Sequence, residues 1–386
     1  MAPLSQLPQQ QLDLSIPQFF TKLQDPRRAH RRLHRLQDII VIALCAVIAG
    51  AQDWQQIVTF GRQRRDWLGT FLELPNGIPS HDTFERVFAR LKPQAFQACF
   101  REWVQAISAA LRIKHIAIDG KTLRGSGSVK LGPLHLVSAW ATAQHLSLGQ
   151  VAVDAKSNEI TAIPVLLELL DLNGALVTLD AMGCQKAIAQ KIVDQGGHYA
   201  LTVKDNQEHL LEDIQESFLK AFDTEFAGLD HDEYETRERG HGREEYRSYT
   251  VLHSTEGIRH AEAWAGLATI GLCFSERTVK GRTTTACRYF IGDKKASAKY
   301  YARGLRHHWG IENNLHGQLD VNFGEDGNRV QKRNAAENLA LLRRLTLSLL
   351  KAHPSKDSIA RKRFAAALDP SFLEEILRGD GILEKR

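Results

Sequence analysis

Residues 112–222 constrain this chain more than any other stretch. Apolar positions alternate over 113–118 (IKHIAI), 135–143 (HLVSAWATA) and 147–155 (SLGQVAVDA), with turn-forming residues between, which reads as three strands on short links. A helical run follows at 159–171, then a short apolar strand at 177–181 (VTLDA), a helix at 185–197, a strand at 199–204 (YALTVK) and an amphipathic helix at 207–222. Three strands on short links make an antiparallel meander. Each later strand follows a helix, so a right-handed crossover returns it parallel to the first. The simplest sheet that satisfies both rules has the order 3-2-1-4-5. In it the first and fourth strands are parallel neighbours. Asp119 ends the first and Asp180 ends the fourth, so their carboxylates fall side by side at one sheet edge.

Two carboxylates held close repel, and each becomes harder to ionise unless a cation joins them. Magnesium suits such a place, because it takes hard oxygen ligands and binds through one or two carboxylates together with water and phosphate. Two such ions about 3.5–4 Å apart activate an attacking oxygen and stabilise a leaving one in phosphodiester cleavage. A two-ion site calls for a third acid, and the candidate is Glu312. It lies in LRHHWGIENNLHGQLD, which reads as part of a helix over 297–316. On an α-helix His308, Glu312, His316 and Asp320 recur every four residues and share a face, with Ile311, Leu315 and Leu319 on the adjacent apolar stripe. A solvated helix face is the other reading of that pattern. Zinc is a poorer fit than magnesium, since no Cys-x-x-Cys or His-Glu-x-x-His spacing is present.

The remainder of the chain frames this core. Residues 1–111 read as a helical domain, with helices near 36–50, 53–73, 81–91 and 93–111 and Ser80 or Asp82 as N-cap of the third. Arg27, Arg28, Arg31, Arg32 and Arg35 fall within nine positions ahead of these helices, a dense positive field read as a contact for DNA phosphates, with a solvated basic linker as the other reading. Residues 223–296 alternate and read as a β-rich insertion, and 297–386 as a helical completion with a strong helix at 334–352. The formal net charge of +5 permits a nucleic-acid partner. Five scattered cysteines argue against a disulfide framework and fit a reducing cytosol. The longest apolar run, residues 39–51, is shorter than the roughly 20 residues that cross a bilayer and reads as a buried helix. The sequence therefore points to a cytoplasmic protein with no membrane partner.

The segments AIDGKTLRGS (117–126), DAKSNEITAIP (154–164), VTLDAMGCQKAIAQKI (177–192), ALTVKDNQ (200–207), GHGREE (240–245), HWGIENNLH (308–316), LDVNFGED (319–326) and RNAAENLALLR (333–343) resemble, in this order, the bacterial insertion-sequence transposases typified by the H-repeat-associated proteins of Rhs elements. The resemblance runs from about residue 20 to 375 and includes LCAVIAGAQDW and NGIPSHDTF. It implies an α/β ribonuclease H-like core carrying a β-rich insertion, an all-helical transposase-associated domain ahead of it, and a DDE active site whose three acids match Asp119, Asp180 and Glu312. It implies two magnesium ions (manganese as substitute), no small-molecule cofactor, and double-stranded DNA as partner, both the element's terminal inverted repeats and its target. Paired ends imply a homo-oligomer on DNA, associated with the nucleoid when bound. A decayed transposase that only binds DNA, and a recombination-promoting nuclease with the same core, are the alternatives.

The chain departs from the related Tyr-x2-Arg-x3-Glu-x6-Lys signature: His308 holds the Arg place, Leu305 the Tyr place and Leu319 the Lys place. Gly317 stands where the family usually has Trp, and a helical glycine costs about 1 kcal/mol relative to alanine. Further candidates flank the acids. Lys121 and Arg124 follow Asp119 and suit a DNA phosphate or an exposed turn, and Lys204 ends the fifth strand at the same sheet edge. Glu159 opens a helix and either favours its N-terminus or orients the metal site, as His316 and Asp320 do from the Glu312 helix.

Overall fold

The alternating and helical runs become strands and helices close to where the sequence places them. A computed structural model describes residues 16–111, 113–127, 132–153, 157–240 and 242–379, the side chains at 16, 17, 31, 108–110 and 333 excepted. Among the described residues six α-helices come first: α1 Ile16–Phe19, α2 Leu36–Ile48, α3 Trp54–Gln63, α4 Arg65–Leu68, α5 His81–Arg90 and α6 Pro93–Leu111. The run expected at 53–73 is two helices, broken at Arg64. Ser80 caps α5 by accepting from Thr83 N. The meander follows as β1 His115–Leu123, β2 Leu134–Ala141 and β3 Leu146–Ala152. Then come α7 Glu159–Leu167, β4 Leu176–Leu179, α8 Lys186–Asp194, β5 His198–Val203 and α9 Glu208–Asp223. Four long strands occupy the insertion: β6 His231–Gly240, β7 Arg243–Leu252, β8 Thr269–Val279 and β9 Arg282–Gly292. Helices α10 Ala298–His308, α11 Gly317–Phe323, α12 Arg333–Ala352, α13 Ile359–Leu368 and α14 Pro370–Arg378 complete the chain.

All nine strands belong to one mixed sheet, in the order β3-β2-β1-β4-β5-β9-β8-β7-β6. Its first five strands have the order read from the sequence. The expected β-rich insertion continues this sheet, because β9 pairs antiparallel with β5 from Ala200↔Gly292 to Val203↔Tyr289. One correction concerns β1, which does not stop at Asp119 but runs on to Leu123.

The chain divides into two compact units, one of Met1–Ile113, Gly120–Lys156 and Glu312–Arg386, the other of Lys114–Asp119 and Ser157–Ile311. In the first, α12 packs against α2, α5, α6, α13 and β3. The apolar run at 39–48 is fully buried in α2, as its composition requires. Among the described residues no helix is long and apolar enough to cross a membrane. Asn338 on α12 donates to Phe88 O and Leu91 O, satisfying carbonyls that the end of α5 leaves open. Buried Arg344 pairs with buried Glu325 at 2.9 Å and reaches Ser138 on β2. In the second unit α10 lies on β4, β5, β6 and β7, over a core of Leu176, Phe290, Tyr301 and their neighbours. All five cysteines are free, four of them buried.

Candidate active site

Strand register decides what meets at the sheet edge. β1 and β4 pair in parallel as His115↔Leu176, Ile116↔Val177, Ala117↔Thr178 and Ile118↔Leu179. The residues that follow this last pair are Asp119, within β1, and Asp180, just past the end of β4, so the two acids come side by side where the pairing of strands about 4.8 Å apart ends. The side-by-side placement expected from the strand order is therefore present, although Asp119 lies within β1 and not at its end.

Asp180 is set by its own turn. Its Oδ1 accepts from Met182 N at 3.0 Å and from Gly183 N at 3.3 Å, which fixes the carboxylate and leaves Oδ2 out of both bonds. Partial withdrawal from water raises the Asp180 carboxyl above its ordinary value, and the charges of Glu159 and Asp119 push the same way, against Gly183 N–H and His308. Glu159, the first residue of α7, is thus close enough to act on the Asp180 charge. Three acids converge electrostatically in this one unit.

Beneath the acids runs a hydrogen-bonded chain that the sequence reading missed. Residues 115, 117 and 119 share one face of β1, as 176, 178 and 180 share one face of β4. On that face Thr178 Oγ1 lies 3.0 Å from His115 Nε2 and 3.1 Å from His308 Nδ1. Burial, with His307 and His308 nearby, pushes His115 down to about 3, so its ring is neutral at physiological pH. Burial also lowers His308, against the pull of Asp119 and Asp180 toward the charged ring. A same-face Thr and His leading up to two aspartates was the available signal. His308 reaches this position because α10 approaches β4 closely at Gly304: a Cβ there would stand 2.4 Å from Leu176 Cδ2.

The turns at this edge are stitched together. Asn206 Nδ2 donates to Ala181 O at 2.7 Å, and Gln207 Nε2 to Cys184 O at 2.9 Å, tying the turn after β5 to the one Asp180 caps. Lys204 is exposed just before these residues.

In the other unit the structure rearranges several expectations. Lys121 is not open for a phosphate. Its ammonium is buried, 2.7 Å from both oxygens of Asp320 and 3.1 Å from Asp326 Oδ1. Asp320 is therefore a partner of Lys121. Arg124 remains exposed, 3.7 Å from Asp326. Glu312 opens a π-helical turn, Glu312–His316, in place of the continuous α-helix expected. A π turn adds a residue per turn, so the four-residue spacing no longer keeps Glu312 on the face of His316 and Asp320, which remain one α-helical turn apart. Accordingly Glu312 is exposed and His316 buried. Gly317 closes the turn, where a Cβ would come within 3.2 Å of Glu312 O, so the glycine relieves crowding that the π geometry creates.

The arginine cluster is not one uniform face. Arg27 is buried, donating from Nε and Nη2 to Asp25 at 2.9 and 2.7 Å and to His34 O at 2.7 Å. Arg32 donates to the carbonyls of Arg27 and Asp25, and Arg35 pairs with Glu73. Arg28 is exposed, while the Arg31 side chain lies outside the described residues.

Among the described residues no three His, Cys, Asp or Glu side chains form a ready-made metal cage. The donor set nonetheless fits a hard divalent cation. Magnesium takes only one or two protein carboxylates and fills its sphere with water and phosphate. Here two in-register carboxylates lie in the field of a third acid, and Asp180 has one oxygen fixed by backbone N–H groups.

Comparison with known proteins identifies the family. Residues 111–349 match the family described as "Transposase DDE domain", and residues 17–104 match the family "DDE_Tnp_1-associated". The chain is 40% identical over 370 residues to "Putative transposase YncI" of Escherichia coli O157:H7, covering 94% of each chain. It is 39% identical over 367 residues to "H repeat-associated putative transposase YhhI" of Escherichia coli (strain K12), covering 93% of this chain and 96% of the relative.

Proposed function

This chain belongs to the transposase DDE domain family, and from that premise we propose that it binds the terminal inverted repeats of its own insertion sequence, cuts the phosphodiester there and joins the freed 3′-hydroxyl to target DNA. The supporting observation is the parallel register that ends at Ile118↔Leu179 and so sets Asp119 and Asp180 abreast. Asp119, Asp180 and Glu312 are the acids assigned to hold two divalent ions, magnesium or manganese. When bound, these supply charge neutralisation for the attacking and leaving oxygens of the phosphodiester. The protein's own part is orientation. Backbone N–H groups fix Asp180, Thr178 fixes His308, and Glu159 adds negative charge that favours a cation at this edge. His308 and the exposed Lys204 and Arg124 are the groups assigned to the DNA backbone here. Residues 1–111 form the DNA-binding domain, 112–222 and 297–386 the ribonuclease H-like core, and 223–296 its insertion. The protein works as a homo-oligomer on paired ends, in the bacterial cytoplasm where its DNA lies.

Cleavage of DNA carrying the element's ends tests this reading, with magnesium or manganese, for wild type, Asp180→Asn and Glu312→Gln. Cutting at the ends by wild type alone is the expected result. Cutting that survives in Glu312→Gln removes that residue from the site. End binding without cutting in any of the three proteins overturns the enzymatic reading in favour of a DNA-binding protein.

A further inference from the structure

We propose that a groove on the helical N-terminal segment, between the Leu33–His34 turn and one face of α5, holds two neighbouring phosphates of one DNA strand through Arg86 and Arg90. This rests on the reading of the chain as a DNA transposase and specifies where one of its DNA contacts lies.

The groove encloses about 170 Å³, room for a phosphodiester group, and Val87 forms part of its lining. Arg86 and Arg90 line it from α5, both exposed and one turn apart. Four residues advance an α-helix by about 6 Å, a step comparable to that between successive phosphates of a strand. Charge balance distinguishes these two arginines from the rest of the neighbourhood. Asp25 is taken by Arg27 and Arg32, Glu85 by Lys332 at 3.0 Å, and Glu73 by Arg35. Buried Asp38 accepts from Leu74 N. Arg86 donates from Nε to the Asp82 carbonyl, which orients it without neutralising it. Among the described residues neither Arg86 nor Arg90 is in an ion pair. Asp82, one turn before Arg86, has its carboxylate on His81 at 3.3 Å and, among the described residues, in no ion pair with either arginine. The other acids named are occupied, and the two guanidinium groups at the groove keep their positive charge.

Two further features fit an anion. His34, which lines the groove, has a buried Nδ1 with no hydrogen-bond partner among the described residues. Leu33 beside it is 66% exposed, an apolar residue of the sort that packs against deoxyribose. The sequence drew attention to the arginines at 27–35, but in the structure Arg27 braces this turn through Asp25 and His34 O. The groove's contact residues are instead on α5, some fifty positions later.

The test is binding of the full chain to a duplex carrying the element's end, titrated with potassium chloride, for wild type, Arg86→Gln/Arg90→Gln and Arg86→Lys/Arg90→Lys. Each phosphate contact contributes about 0.9 to the slope of log K against log salt, so the glutamine pair should lower the slope by about 1.8 and weaken binding about 30-fold at 0.15 M salt. The lysine pair keeps the charge and should keep the slope. A glutamine pair with the wild-type slope and affinity overturns the groove while wild-type binding still supports the transposase. Wild type that binds no DNA at all instead overturns the transposase reading itself. Circular dichroism melting checks that these exposed substitutions leave the fold intact.

Discussion

Replacing Gly304 with alanine should separate activity from stability. The added Cβ would lie 2.4 Å from Leu176 Cδ2, with Leu176 Cγ at 3.6 Å and Thr178 Cγ2 at 3.7 Å. Carbon atoms in contact prefer about 3.5–4.0 Å, so a gap of more than 1 Å must open. Leu176 cannot simply swing away, because it is 3% exposed and packed with Tyr301, Phe290 and Ala302. Helix α10 must therefore lift from β4. Overpacking of this kind costs about 1–3 kcal/mol. Removing a helical glycine returns about 1 kcal/mol. The net loss is then roughly 0–2 kcal/mol, and the protein stays folded. The chemistry has no such compensation. His308 lies four residues further along α10 and is held to Thr178 at 3.1 Å. A displacement near 1 Å at a catalytic constellation can cost about 100-fold in rate. We expect Gly304→Ala to melt within a few degrees of wild type and to cut end DNA about 100-fold more slowly under single-turnover conditions. Leu176→Val, which shortens the side chain that would be struck, should restore most of the rate in the double variant. Wild-type cutting by Gly304→Ala refutes the reasoning, and so does a double variant that is no faster than the single one.

Two other outcomes follow from charges in the fold. His115 is lowered from 6.5 to about 3, so between those values the unfolded chain binds a proton that the folded chain refuses. Its contribution is complete above 6.5 and fades as pH falls, by about 2 kcal/mol between pH 7.5 and 5. Urea denaturation at both pH values should show that loss in wild type and a smaller one in His115→Gln; equal losses would remove His115 as the cause. Lys121→Met leaves Asp320 and Asp326 facing each other without their shared cation, so the melting temperature should fall. DNA binding should keep its salt slope, whereas a slope smaller by about one would restore Lys121 as a phosphate contact.

What the sequence made legible, and what it did not, follows from the range of each interaction. The 3-2-1-4-5 order came from element types and link lengths, both local properties, and it was enough to bring Asp119 beside Asp180. The pairing of β5 with β9 joins residues about ninety positions apart, and no local pattern announces it. The same limit hid the partners of Lys121, which lie 199 and 205 residues away. Read alone, a lysine beside an acid expected to bind metal suggests phosphate; with its partners known, it is a clamp holding the chain after Asp119 to α11.

The segment around Glu312 failed for a different reason. Its spacing was legible, but spacing fixes a face only if the helix keeps one period throughout. One π turn breaks that assumption between residues 312 and 316. Gly317 marks the break in the sequence, since the absent Cβ lies where the Glu312 carbonyl crowds the chain. The glycine that looks like a weakened helix is better understood as the residue that lets Glu312 depart from the α-helical period. A departure of this kind is common where a helix presents a functional side chain. The turn moves Glu312 alone off the shared face: His316 and Asp320 stay joined by α-helical backbone, the first buried and the second held by Lys121.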